Sequence, residues 1–357
     1  MRRTLLALGL AVVAAGAAAQ APTPAPAPTD VQQQQERQTT QPGNNAPVWR
    51  DVKSGEKNYT SIQGRETGVL IQPPARFPGQ SAMATAGEAW RNFRNALVTF
   101  YGGWLVVLVL AAIFAFYFWK GPVKLHEPPS GRLIRRFSPL EQVVHWSTAI
   151  SFSVLGISGL VMLFGKHVLL PIVGYTLFAW LAALCKNLHN FIAPLFIVSV
   201  LATIVLFFRD NFPRSYDWLW FKRAWAWFAR SEHIPTGRFN AGEKAWFWGG
   251  VILLSACVAW SGLVLLFPNF DQTRAVMQDA WSVHAIAALI YIVISLGHIY
   301  MGTIGVEGSY RAMREGVVDE TWAREHHELW YNEVKSGKRE APGGAVPAGA
   351  PHMKEKS

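Results

Sequence analysis

Trp281-Ser-Val-His284-Ala-Ile-Ala-Ala-Leu-Ile-Tyr-Ile-Val-Ile-Ser-Leu-Gly-His298-Ile-Tyr-Met-Gly302 is the stretch whose reading decides the fold. It is long and apolar enough to cross a bilayer as a helix, and it carries two imidazoles fourteen residues apart. On an α-helix that separation is ~21 Å of rise and roughly 40° of rotation. The two histidines therefore stand one leaflet apart on nearly the same face. An imidazole in hydrocarbon is costly without a partner, so both are candidate functional groups.

Four more apolar segments, roughly 97–119, 142–165, 184–208 and 246–267, join this one (281–303), and each is long enough to span. Half the residues are hydrophobic, 16% are charged, and sixteen are tryptophans, which favour membrane interfaces. These features predict an all-α membrane protein, a transmembrane helical bundle. Upstream, Met1-Arg-Arg, the apolar run Thr4–Ala19 and the small residues Ala17-Ala18-Ala19 read as a cleavable secretory signal, residues 1–20. An uncleaved anchor helix is the other reading of that run. Residues 21–96 begin as a Pro/Gln-rich linker too polar to form a core. They continue as a polar exported segment with Trp49, Tyr59, Val69-Leu70-Ile71 and Trp90, suited to lie against a partner.

Charge fixes the orientation. Lys120, Lys124, Arg132, Arg135 and Arg136 lie between spans one and two. Arg209, Arg214, Lys222, Arg223, Arg230, Arg238 and Lys244 lie between three and four. The alternate loops hold only Lys166 and Lys186, and Arg274. The positive-inside rule then predicts an inner-membrane protein with a periplasmic N-terminus and a cytoplasmic C-terminal tail, residues 311–357. An export signal followed by five spans requires the same parity. The net charge of +10 is accordingly a topology signal, with no nucleic-acid partner implied. The stretch from Asp217 to Phe228 reads as an amphipathic helix in the cytoplasmic interface, or as a plain loop helix.

Two further histidines lie in apolar stretches, His145 near the start of span two and His189 near the start of span three. With the orientation set, depth pairs His189 with His284 on the outer side and His145 with His298 on the cytoplasmic side. Two bis-histidine haem sites, one per leaflet, would follow, with no open iron position left for oxygen. A single intramembrane histidine is often a hydrogen-bonded core residue, but four at paired depths resist that explanation. His126, His233, His326, His327 and His352 fall in polar loops or the tail and read as solvated, and His167 as interfacial. Cys185 and Cys257 belong to no CxxC or CxxCH pattern, so the chain has no iron–sulfur cluster of its own and no covalent haem.

The ordered pieces Arg136-Phe-Ser-Pro-Leu-Glu-Gln-Val-Val-His145-Trp, Leu188-His189, Arg238-Phe-Asn-Ala-Gly-Glu-Lys-Ala-Trp-Phe-Trp, Val283-His284-Ala, His298-Ile-Tyr-Met and Trp322-Ala-Arg-Glu-His-His-Glu-Leu-Trp-Tyr cover roughly 132–335. Together they resemble the gamma, or cytochrome b, subunit of membrane-bound respiratory formate dehydrogenase. The resemblance implies a four-helix di-haem cytochrome b core (132–310), two b haems on His145, His189, His284 and His298, and one extra N-terminal span (97–119). It also implies a quinone as electron acceptor at the cytoplasmic face, near Asn240, Gly242 and Glu243, where the bland alternative is the N-cap of span four. The implied partners are a periplasmic iron–sulfur beta subunit and a molybdenum or tungsten catalytic alpha subunit, which oxidises formate. Two features depart from the pattern. Shorter members begin just before span two, and glutamine often stands where this chain has Glu243. The rival readings are the cytochrome b subunit of a membrane-bound nickel–iron hydrogenase and a haem-free membrane anchor or transporter.

Overall fold

The computed structural model describes residues 86–340 apart from Ser231; the expected signal and most of the exported segment lie outside the described residues. Among the described residues, five helices are long and apolar enough to cross a membrane: Ala89–Lys120, Pro139–Val168, Leu170–Phe207, Ala241–Leu266 and Arg274–Gly305. Each is longer than the apolar run read from the sequence, and polar capping boxes start two of them, at Ser138 and Asn240. In chain order the elements are α1 (Ala86–Asn92), a π-helical stretch (Phe93–Tyr101), α2 (Gly102–Lys120), β1 (Leu133–Arg135), α3 (Pro139–Val168) and α4 (Leu170–Phe207). There follow α5 (Ser215–Arg230), α6 (Ala241–Trp246), a second π-helical stretch (Phe247–Leu254), α7 (Ser255–Leu266) and α8 (Arg274–Tyr300). A small cap of α9 (Ser309–Glu315), β2 (Val317–Asp319), α10 (Glu320–His326) and α11 (Glu328–Lys335) completes the described chain.

The chain divides into two compact units. One holds Trp260–Ile286 with the described chain up to Tyr101. There Trp90 and Trp281 meet edge to face at 5.7 Å, and the Arg94 guanidinium stands 5.1 Å from the Trp281 ring centre. Trp90, expected in an exported polar segment, is thus on a helix.

The larger unit runs from Gly102 to Ala259 and from Ala287 onward. Its α2 lies against α8, where Gly102 leaves room for Leu289: a Cβ there would stand 2.5 Å from the leucine Cδ1. Helices α3 and α4 are joined by hydroxyl pairs, Ser147 to Ser199 at 2.7 Å and Thr148 to Thr203 at 2.9 Å. Hydroxyls are suited to this task in an apolar bundle, and Thr148 and Thr203 also reach carbonyls of their own helices, Val144 and Ser199, at 2.9 Å.

The sequence of spans two and four carries a repeat. Span two opens Arg136-Phe-Ser-Pro-Leu-Glu141, and span four opens Arg238-Phe-Asn-Ala-Gly-Glu243. Later, span two reads Ser158-Gly-Leu-Val-Met-Leu-Phe164 and span four Ser261-Gly-Leu-Val-Leu-Leu-Phe267, alike at all but one position. From arginine to serine the first repeat counts 22 residues and the second 23. The π-helical stretch Phe247–Leu254 lies inside the longer interval, and a π-bulge is how a helix absorbs one added residue. Both openings form capping boxes. Ser138 and Glu141 exchange bonds at 2.7 and 3.2 Å, and Asn240 and Glu243 at 2.8 and 2.9 Å.

The two caps are cross-clasped. Arg136 Nη2 donates to the Arg238 carbonyl at 2.9 Å and to Glu243 at 3.1 Å. Arg238 Nη2 donates to the Arg136 carbonyl at 2.7 Å and to both Glu141 oxygens at 2.9 Å. Each guanidinium thereby neutralises the capping glutamate of the other repeat, a local two-fold arrangement. Charged groups this well buried are tolerated only when so paired.

The polar cap closes over the clasp. β1 pairs antiparallel with β2, Ile134 opposite Val318, and Phe137, Phe239, Val318, Trp322 and Trp330 form one buried cluster. His327, expected on the surface, is 2% exposed. Its Nδ1 bonds the Gly237 carbonyl at 2.8 Å, and burial holds its imidazole well below the ordinary range. His326 is also held down, to about 4, mainly by burial. The correction has a simple cause: the Trp322–Tyr331 segment packs its aromatic face against the bundle, and the adjacent histidines go with it.

Candidate functional site

Span five brings its second histidine to span two. The His145 and His298 rings meet edge to face, with centres 6.4 Å apart and planes 61° apart. A metal–imidazole bond is ~2.0 Å, and a ring nitrogen lies about 1 Å from its ring centre. Two imidazoles sharing one metal on opposite sides therefore have centres ~6 Å apart. The gap is of the size that a single metal ion held by one nitrogen of each ring would need. His145 Nδ1 is moreover buried without a hydrogen-bond partner in the protein, so this ring carries unmet polar demand.

Trp246 bounds the site, its ring 5.2 Å from that of His298 and nearly parallel to it. The tryptophan occupies the space a side chain at Gly250 would take, since a Cβ there would stand 2.4 Å from the indole. Tyr291, seven residues before His298, lies in the core between Phe152, Phe196 and Trp246. Its hydroxyl is paired with Ser255 at 2.8 Å.

His189 and His284 stand in equivalent settings. His189 Nδ1 lies 2.9 Å from Ser158 Oγ, and Gly159 faces its ring edge. His284 Nδ1 lies 3.2 Å from Ser261 Oγ, and Gly262 faces its ring edge. The serine–glycine pairs are the repeated Ser158-Gly159 and Ser261-Gly262. In both repeats the imidazole is tethered through Nδ1, a support typical of metal-binding histidines.

Asn240, Gly242 and Glu243 meet at the start of span four. Asn240 is the N-cap, with Oδ1 accepting from the Glu243 backbone N–H at 2.9 Å. Glu243 Oε2 accepts from the Asn240 backbone and Oε1 from Arg136. A Cβ at Gly242 would lie 2.8 Å from Trp220. The cap is thus a structural feature in its own right. The functional serines and the clasping arginines were missed in the sequence, although aligning the two Arg-Phe-x-x-x-Glu openings against each other exposes both.

An apolar helical bundle that holds facing imidazoles below its surface defines a membrane cytochrome of the b type. Residues 136–316 match the family described as prokaryotic cytochrome b561. The chain belongs to that family, and within it to the gamma, cytochrome b, subunits of formate dehydrogenase. It is 32% identical over 205 residues to the formate dehydrogenase cytochrome b556(fdo) subunit of Escherichia coli K12, covering 57% of this chain and 93% of that one. Against the nitrate-inducible cytochrome b556(Fdn) subunit of the same strain it is 27% identical over 217 residues, covering 58% and 94%. The formate dehydrogenase cytochrome b556 subunit of Haemophilus influenzae is also 27% identical, over 219 residues, covering 58% and 86%. Haem b is the cofactor this family implies, which sets aside the haem-free anchor or transporter. The chain is a multi-pass membrane protein and works in complex with other formate dehydrogenase subunits.

Proposed function

We propose that this subunit accepts electrons from an iron–sulfur beta subunit at the periplasmic face and delivers them to membrane quinone at the cytoplasmic face. It does so in a bacterial inner membrane, with its N-terminus outside and formate oxidised on a molybdenum or tungsten alpha subunit. Two b haems serve it, one held by His145 and His298, the other by His189 and His284. The carrying observation is the 6.4 Å approach of the His145 and His298 ring centres. The second pair is supported by equivalence, since each member has the same serine–glycine support in its own repeat.

When bound, a b haem supplies reversible one-electron transfer between ferric and ferrous iron. The histidines contribute two strong nitrogen ligands and so leave no open position for oxygen. Trp246 and Tyr291 keep water from the region between them. At the cytoplasmic cap, the Asn240 side-chain amide can donate to a quinone carbonyl. Glu243, an acceptor when ionised, suits a quinol hydroxyl. Moving each electron inward costs ~2.3 kcal/mol per 100 mV of membrane potential, which a donor as reducing as formate can supply. The relatives' identity favours formate over hydrogen as the source.

The test is the dithionite-reduced spectrum of membranes carrying the complex. Two b-type components are expected. His145→Ala and His298→Ala should remove one, and His189→Ala and His284→Ala the other. Loss of the same component in His284→Ala and His298→Ala would refute the pairing.

A further inference from the structure

Ser158 Oγ lies 2.7 Å from the Val154 carbonyl oxygen and 3.1 Å from that of Leu155, besides its 2.9 Å contact with His189 Nδ1. A carbonyl only accepts, and a serine hydroxyl has a single proton to give. That proton is therefore engaged on the helix backbone, and Ser158 accepts from His189 Nδ1–H. The neutral imidazole is thereby fixed with its proton on Nδ1 and a lone pair on Nε2. In the second repeat Ser261 Oγ stands 3.2 Å from His284 Nδ1.

Glycine closes the other side of each ring. A Cβ at Gly159 would lie 3.4 Å from His189 Cε1, and one at Gly262 would lie 3.1 Å from His284 Cε1. The rings rest against the neighbouring helix, at ordinary contact distance from an added Cβ at Gly159 and more tightly at Gly262. Nothing comparable serves His145, whose Nδ1 is buried without a protein partner. The repeat explains the difference: nine residues after the repeat's arginine, where span two has His145, span four has Phe247, the first residue of the π-helical stretch. The cytoplasmic-side pair is thus built from one-off positions and the other pair from repeated ones.

We propose that Ser158 and Ser261 are positioning residues that select Nε2 as the iron-binding nitrogen of His189 and His284 and lower the potential of that centre relative to the one at His145 and His298. A hydrogen bond accepted from Nδ1–H makes the imidazole a stronger donor, and a stronger donor favours ferric over ferrous iron. The potential step from the His189/His284 side to the His145/His298 side is then set by two hydroxyls. That step opposes part of the work done against the membrane field. The inference rests on the two-haem reading above.

Potentiometric titration of the purified holocomplex, followed in the b-type bands, tests it. The component lost in His284→Ala identifies the centre of interest. Ser158→Ala and Ser261→Ala should each raise the midpoint of that component, by about a tenfold change in its ferric–ferrous equilibrium, or about 59 mV for one electron. The other component should stay in place, and Ser158→Thr, which keeps the hydroxyl, should return the wild-type value. If Ser158→Ala depletes the haem, rescue of haem content by threonine but not by cysteine supports the proposal, and equal behaviour of the two overturns it. Unshifted midpoints, or equal shifts in both components, also overturn it. A wild-type complex with fewer than two b-type components would instead refute the two-haem reading itself.

Discussion

Arg238→Met should be among the most damaging substitutions outside the histidine sites, and its repeat counterpart Arg136→Met distinctly milder. Arg238 and Glu141 have side chains 4% and 10% exposed, and the guanidinium reaches both carboxylate oxygens at 2.9 Å. Methionine fills a similar volume but leaves Glu141 buried with its charge opposed only by the Ser138 backbone N–H. Breaking one side of such a pair costs ~3–5 kcal/mol. Arg136 is equally buried, yet its partner Glu243 is 34% exposed and meets it through a single 3.1 Å contact. Water can take over at Glu243, so the ion-pair loss is below ~1 kcal/mol. The hydrogen bond to the Arg238 carbonyl adds about 1 kcal/mol. Reversible unfolding in mixed micelles, titrated with a denaturing detergent and followed by tryptophan fluorescence, measures both. The double variant Arg238→Met/Glu141→Leu should recover most of the loss, because Glu141 then carries no unpaired charge and Asp210, which also loses Arg238 at 2.6 Å, keeps Arg339 at 2.7 Å. Equal losses for the two arginines, or no recovery in the double variant, would show that the clasp is not what fixes the two caps together.

Acid should weaken the polar cap in two windows. Burial keeps the His326 pKa near 4, against 6.5 when unfolded, so its contribution is full above pH 6.5 and lost as the pH falls through 4. Hydrogen bonds from Lys335, then Tyr331 and Arg132, draw Glu320 from 4.5 to about 2, so its contribution disappears as the pH falls from 4.5 through 2. A pH series of unfolding midpoints should lose the upper window in His326→Phe and the lower in Glu320→Gln. Gly316→Ala should destabilise the cap by about 1–2 kcal/mol from its left-handed φ alone, with φ at +75° and a Cβ 2.7 Å from the Phe137 carbonyl; a neutral result in the same unfolding assay would sink that reasoning. Gly262→Val should deplete the b-type component that depends on His284 and spare the one that depends on His145, since the added bulk falls on the His284 ring. Depletion of both bands would point to general misfolding.

Five apolar runs and a one-sided loop charge were enough to read a five-span helical membrane protein, because lipid admits few other solutions for a polar backbone. The fourteen-residue spacing on span five likewise marked two imidazoles at different depths, since helix rise converts sequence count into height. Neighbourhood is another matter. Which helix faces which depends on side-chain packing and on hydroxyl pairs such as Ser147–Ser199, whose partners lie 52 residues apart. Nothing in the local pattern announces them.

The sequence by itself determined the membrane class, the five spans and the four histidines, all of which follow from local composition and periodicity. Only the tertiary structure crossed Arg136 and Arg238 onto each other's capping glutamates and buried His327 under the bundle. It also tied His189 to Ser158. These are contacts between residues distant in the chain, fixed by how helices pack and by the need to pair every buried charge and polar group.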